Sequence, residues 1–182
     1  MAQYETATLA GGCFWCLEAI YKRLNGVQAV KSGYADSQVV NPSYQAVCAG
    51  NTGAAEAIQI TYDPSIISYE KLLDVFWHLH DPTTLNRQGN DVGTQYRSAI
   101  YFQNEEQKQI ALASKEQLEQ AKAYKHPIVT EVTPFTNFYP AEDYHDDYYD
   151  QNRNQGYCRI VIDPKIKKLM KDYREELKAE VK

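Results

Sequence analysis

Apolar and polar positions fall into short alternating runs and helix-period runs that change over along the chain. Tyr4 to Ala10 reads as a short strand, and Phe14, Leu17, Ile20, Tyr21 and Leu24 recur at helical spacing. Asn25-Gly26 marks a turn, and Val27 to Tyr34 has the make-up of a second strand. Asp36 to Ser43, with Asn41-Pro42 inside it, reads as a loop. From Ala54 to Tyr62 the alternation is clean: Glu56, Ile58, Ile60 and Tyr62 share one strand face, and Ala57, Gln59 and Thr61 the other. Pro64 ends that strand. Ser68 is placed to cap a helix whose apolar stripe is Tyr69, Leu72, Leu73, Phe76 and Leu79, ending near Asp81-Pro82. Thr83 to Tyr96 is a long, polar, glycine-punctuated stretch, which fits a functional loop or a plain surface loop equally.

Arg97 to Phe102 returns as a strand, Asn104 caps a polar helix to about Ala123, and Ile128 to Val132 gives another strand. Strand-helix-strand thus occurs twice, which predicts an α+β fold: a two-layer α/β sandwich with a ferredoxin-like split β-α-β core and an irregular C-terminal extension. That extension holds Phe135 to Tyr139, the dense run Ala141 to Tyr149, and a polar segment, Asp150 to Gly156, predicted to be mobile. It closes on an amphipathic helix carrying Ile166, Leu169, Met170, Tyr173 and Leu177 that reads as packing. No repeat, low-complexity tract or linker divides the chain, so residues 1–182 are expected to form one domain whose core needs no disulfides.

Composition narrows the functional classes. No apolar run is long enough to cross a membrane, and Met1-Ala2-Gln3-Tyr4-Glu5 lacks the basic and apolar parts of a signal peptide, so a cytoplasmic location is the expectation. In that reducing setting four cysteines point to catalysis, redox chemistry or metal binding before structural disulfides. A net charge of −5 argues against a nucleic-acid partner. The fifteen tyrosines fall mostly outside helical periods, so some can supply hydroxyls to a site.

The candidate chemistry centres on Gly11-Gly12-Cys13-Phe14-Trp15-Cys16-Leu17-Glu18. Cys13 sits at a strand-to-helix junction, where unpaired backbone N–H groups and the helix dipole favour a thiolate. The glycine pair allows a tight turn that leaves the sulfur uncovered. The same residues also fit a glycine-rich turn into a core helix, with the cysteines as small hydrophobes. Glu56 stands on an apolar strand face, and two readings are open. Core burial would raise its pKa and leave it a proton donor near neutrality. A position at the strand mouth would leave it solvated or paired with a basic residue.

Further blocks follow in order: Asn41-Pro42-Ser43-Tyr44, Val47-Cys48, Thr52-Gly53 with Ala55-Glu56, His80-Asp81-Pro82, Gln88-Gly89-Asn90-Asp91, Gly93-Thr94-Gln95-Tyr96-Arg97-Ser98, Ala141-Glu142-Asp143-Tyr144-His145 and Gly156-Tyr157-Cys158. With Gly12-Cys13-Phe14-Trp15, these blocks make the chain resemble the A-type peptide methionine sulfoxide reductases from about Gly11 to Cys158. The resemblance implies reduction of methionine-S-sulfoxide in proteins or peptides, the S epimer coming from the resemblance alone. It implies Cys13 as the nucleophile on sulfur, Glu56 as the acid that protonates the oxygen, Tyr44 and Tyr96 as donors to that oxygen, and Asp91 as their polar partner. Phe14 and Trp15 would wall the substrate methyl group. Such chemistry needs a neutral acid and hydroxyl donors beside a thiolate, because a sulfoxide oxygen leaves poorly unless protonated.

Turnover would leave Cys13 as a sulfenic acid that a second thiol converts to a disulfide, to be reduced by thioredoxin or a similar dithiol protein. Cys158 matches the family's usual resolving position and is the favoured first partner. Cys16 departs from the glycine common there, yet its C-x-x-C spacing can close a disulfide, directly or as a relay. Cys48 takes no role and reads as a buried structural cysteine. No cofactor, metal or membrane is implied, and a monomer is expected. Two further departures are Ala54, where histidine is common, and Asp36-Ser37 in place of a glycine pair. A thioredoxin-like dithiol oxidoreductase would explain Cys13 and Cys16 but not Glu56, the tyrosines, Asp91 or Gly156-Tyr157-Cys158. A zinc module would need a second close ligand pair, and neither Cys48, Cys158 nor the histidines have that spacing.

Overall fold

Strand β1 (Glu5–Ala10) leads through Gly11-Gly12-Cys13 into helix α1 (Phe14–Tyr21), and the chain returns as β2 (Val27–Ala35). After α2 (Tyr44–Cys48) come β3 (Ala55–Tyr62), α3 (Tyr69–Leu79), the short β4 (Arg87–Gln88) and β5 (Asp91–Val92), and then β6 (Ala99–Phe102). Helix α4 (Glu105–Gln120), β7 (Glu131–Pro134), β8 (Phe138–Pro140), α5 (Tyr148–Gln151) and α6 (Asp163–Asp172) complete the chain. This computed structural model describes residues 3–182; Met1 and Ala2, part of the stretch read for a leader, lie outside the described residues.

The main sheet has the order β7-β6-β1-β3-β2-β8. Its four inner strands are antiparallel, and with α1 and α3 they make the predicted split β-α-β pair of a two-layer α+β sandwich. β7 adds parallel to β6 at one edge, and β8 adds antiparallel to β2 at the other. One sheet face carries Leu9, Ile58, Ile60 and Ile100, packed against Leu17 and Ile20 of α1 and Leu72, Leu73 and Phe76 of α3. Alternation puts small residues on the opposite face, where Ala10, Ala35, Ala55, Ala57 and Ala99 lie around Tyr101. Glu56 shares the helix-covered face with Ile58 and Ile60, so the strand that builds the core also delivers the carboxyl to the end of α1.

The structure departs from the sequence pattern in short elements and in the C-terminal third. α2 is five residues long, capped by the Ser43 hydroxyl accepting from the Ala46 amide at 3.1 Å. The strand predicted at Ile128 to Val132 starts at Glu131 instead, because the Val129 amide donates to the Pro82 carbonyl at 2.8 Å outside the sheet. The segment predicted to be mobile is tied to the chain just past α1, where Asp150 pairs with Lys22 at 2.7 Å and Arg23 at 2.6 Å, and is braced internally by Arg153 at 2.8 Å. Cys158 is likewise not on a loop. It opens a π-helical turn, Cys158–Ile162, that runs into α6, and it is wholly buried.

Gly12 is the turn residue the site depends on. Its φ is +91°, and a Cβ there would lie 2.7 Å from Cγ of Gln88. Gly12→Ala is therefore expected to destabilise the protein by about 2–4 kcal/mol through left-handed strain and steric overlap. A thermal melt reads this as a lower Tm; an unchanged Tm would show that the turn accepts a side chain.

Candidate active site

Cys13 caps α1 in extended backbone, with φ −65° and ψ 129°, and its side chain takes no part in the cap. The first amide of α1 has a different partner: Phe14 N donates to Oε1 of Glu56 at 3.2 Å. Glu56 is 1 % exposed, and its second oxygen, Oε2, has no hydrogen-bond partner among the described residues. Burial, reinforced by the Asp91 carboxylate, pushes its pKa up to about 8; the Phe14 amide and the Cys13 thiol pull the other way without cancelling it. Of the two readings of Glu56, the desolvated one holds. At neutral pH its carboxyl is mostly protonated and has an O–H free to donate.

Burial also pushes the Cys13 thiol well up, with the negative charges of Glu56 and Cys16 adding to the effect. The Trp15 amide and the Tyr157 hydroxyl beside the sulfur pull the other way. The helix terminus thus acts as the sequence suggests, but desolvation outweighs it, and the resting residue is a thiol. Glu56 contributes to that rise only while ionised, so protonation of Glu56 eases thiolate formation.

The tyrosines close around this pair. Tyr44 begins α2 and Tyr96 ends a 3-10 turn, Thr94–Tyr96; both are half-buried, and burial with the Glu56 charge raises both phenols, so they remain neutral donors. Glu142 fixes Tyr44, accepting its amide at 2.9 Å on one oxygen and the Tyr34 hydroxyl at 2.7 Å on the other. Phe14 is wholly buried, its ring 5.7 Å from Tyr34 and 5.0 Å from His145. Trp15 stacks on Tyr148 at 3.7 Å, and its indole N–H donates to Nδ1 of His145 at 2.9 Å. That bond puts the proton of neutral His145 on Nε2, which is buried without a partner among the described residues. Asp91, on the β4–β5 hairpin, accepts the Tyr157 hydroxyl at 2.6 Å. A cavity of about 550 Å³ opens on Cys13, walled by Gln88, Asp91, Tyr157, Val161 and Lys165.

All four cysteines are free. Cys16 is buried 3.9 Å from the Tyr157 hydroxyl, its thiol raised by burial and lowered by the Lys165 ammonium and Tyr157. Negative charge on Cys16 raises both the Cys13 thiol and the buried Cys158 thiol. Cys48 is exposed, which corrects the expectation of a buried structural cysteine: it is the last residue of a short helix that buries only Val47. Among the described residues no group of three His, Cys, Asp or Glu side chains could hold a metal ion.

The fold therefore gathers Cys13, Glu56, Tyr44, Tyr96, Asp91, Phe14, Trp15 and Cys16 around one helix terminus. Residues that sequence reasoning left without a role are Tyr157, His145, Glu142 and Lys165. The signals for Tyr157 were the surplus of tyrosines off the helical period and its place in the Gly156-Tyr157-Cys158 block.

The peptide methionine sulfoxide reductase family model matches residues 5–178. The chain is 56 % identical over 174 residues to a peptide methionine sulfoxide reductase MsrA from Saccharolobus solfataricus, covering 96 % of this chain and 97 % of that one. The reduced form of Mxr1 from Saccharomyces cerevisiae superposes with a TM-score of 0.79 at 38 % identity, over 86 % of this chain and 90 % of that one. Mxr1 in complex with Trx2 gives a TM-score of 0.56 at 28 % identity, over 80 % and 85 % of the two chains.

Proposed function

The chain belongs to the peptide methionine sulfoxide reductase family, and from that premise we propose that it reduces methionine-S-sulfoxide, in proteins and as the free amino acid, to repair oxidative damage. The Cys13 sulfur attacks the sulfoxide sulfur while Glu56 delivers a proton to the oxygen. Methionine leaves, and the oxygen stays on Cys13 as a sulfenic acid. Tyr44 and Tyr96 donate to the oxygen as charge develops on it, Asp91 orients the polar side, and Phe14 and Trp15 wall the methyl group. The observation that carries this reading is the buried Glu56 carboxyl, pushed up to about 8, with Oε1 on the first amide of α1 next to Cys13 and Oε2 unpartnered among the described residues.

A second thiol then attacks the sulfenic sulfur, water leaves, and a disulfide remains. Cys158 is the resolving thiol and Cys16 the second acceptor, able to resolve directly or to relay the disulfide outward. Thioredoxin or a similar dithiol protein reduces the disulfide and is itself oxidised; the complex formed by the structural neighbour Mxr1 with Trx2 supports that class of donor. We read all 182 residues as one monomeric catalytic unit of the cytoplasm that acts on polypeptides. In keeping with this, no helix among the described residues is long and apolar enough to cross a membrane.

The test is a single turnover on a methionine sulfoxide peptide without reductant, followed by mass-spectrometric mapping of the disulfide. One methionine per enzyme with Cys13 joined to Cys158 is expected. Cys13 joined to Cys16 would keep the reductase and move resolution into α1; no methionine would overturn the function.

A further inference from the structure

Tyr157 touches both halves of this chemistry. Its hydroxyl donates to Oδ2 of Asp91 at 2.6 Å across the cavity beside Cys13, and it lies 3.9 Å from Sγ of Cys16. Its ring stands edge-on to Trp15, with centroids 5.8 Å apart and planes at 81°. The next residue in the chain is Cys158. Cys158 is wholly buried at the start of a π-turn, so any movement of that turn that brings its sulfur towards Cys13 carries Tyr157 with it. π-helical turns recur at functional sites because the inserted residue loosens the helix.

The packing around the turn divides sharply. Ile162, Ile166 and Leu169 are buried and hold α6 in the core, whereas Ile160, in the turn itself, is 77 % exposed. On the other side nothing lies within 4 Å of where a Cβ on Gly156 would stand. The turn can therefore open at its N-terminal end while α6 stays in place. Burial of the Cys158 side chain, the Tyr157–Asp91 hydrogen bond, the edge contact of Tyr157 with Trp15 and the Arg159 amide's bond to the Gln155 carbonyl at 3.1 Å hold it closed.

Resting on the function proposed above, we propose that Tyr157 is a positioning residue that times the two half-reactions: held by Asp91, its hydroxyl keeps the thiols in the reduced arrangement, and it must leave Asp91 before Cys158 can close on Cys13. In the closing step the Cys158 sulfur bonds to the Cys13 sulfur, the Cys13 S–O bond breaks, and the sulfenic hydroxyl leaves as water with the Cys158 thiol proton, so a neutral disulfide remains.

The experiment follows methionine formation and disulfide closure separately after mixing with a methionine sulfoxide peptide, in Cys16→Ser protein so that Cys158 alone can resolve. Tyr157→Phe keeps the ring on Trp15 and deletes the hydroxyl. It is expected to accelerate closure roughly tenfold, the scale of one hydrogen bond to a charged acceptor, without accelerating methionine formation. Loss of a purely structural contact would slow both steps, and that result, or unchanged closure, overturns the lock. Absence of methionine from the Cys16→Ser parent would instead strike the proposed function. A measurement without the Tyr157 variant gives a second test: amide hydrogens of residues 157–162 must open at least as fast as the disulfide closes, and closure that outruns their opening overturns the proposal.

Discussion

Glu56→Gln is expected to slow methionine formation by about 10²–10⁴-fold at neutral pH, the range over which a positioned general acid acts. Glutamine keeps an oxygen to accept the Phe14 amide, so the geometry at the start of α1 survives and only the acidic proton is lost. In the unsubstituted protein the rate should fall as pH rises through about 8, because Glu56 then ionises and can no longer donate. The variant should lose that limb. A single-turnover pH series reads both effects, and rates within a few-fold of the parent would remove Glu56 from the acid role.

Stability should move in the opposite direction. The folded pKa of Glu56, about 8, lies above its ordinary value of 4.5, so the folded state binds the proton more tightly than the unfolded chain does. The stability this contributes is fully present below pH 4.5 and is lost as pH rises through about 8. Glu18, also raised by burial, to about 7, adds a slope of the same sign. Glu56→Gln should therefore melt higher than the parent at pH 9, by an amount on the order of a few kcal/mol. A site that needs a neutral carboxyl in a dry pocket is unstable when that carboxyl ionises, which is the usual trade between stability and activity.

The strand and helix order was legible because the inner sheet and α1, α3 and α4 are long enough to show their periods. Glu56 was legible as a carboxylate on an apolar face, but alternation alone could not say which face meets the helices. That is decided by tertiary packing, when Ile58 and Ile60 meet α1 and α3. α2, β4 and β5 span five, two and two residues, too few to show a period, and they carry Tyr44 and Asp91 into the site. In the C-terminal third, polarity suggested motion. The polar residues there are ion-pair partners: Asp150 meets Lys22 and Arg23, just past the end of α1 and more than a hundred residues earlier in the chain. The thiolate expectation at Cys13 had the right local cause in the Trp15 amide and missed the burial that opposes it, which no single sequence displays.

Cys13→Ser should abolish methionine formation, by at least about 10⁴-fold, the scale on which loss of a nucleophile acts. A serine hydroxyl in the same buried site would ionise far less readily than the thiol, and its oxygen cannot accept the sulfoxide oxygen as a sulfenic acid does. Cys16→Ser, by contrast, removes the second sulfur of the C-x-x-C without removing the attacking atom, so it should still release one methionine per enzyme before reduction is required. The contrast between the two variants carries more than either alone. A dithiol oxidoreductase working through Cys13 and Cys16 needs both sulfurs to form its disulfide, so either serine would silence it. A reductase divides the work: Cys13 does the oxygen transfer beside Glu56, and the remaining thiols serve only to reset it. Quantifying methionine from a stoichiometric peptide separates the two. Equal loss in both variants would return the chain to dithiol exchange, and loss in Cys13→Ser alone would leave Cys158 and Cys16 to the resetting half of the cycle.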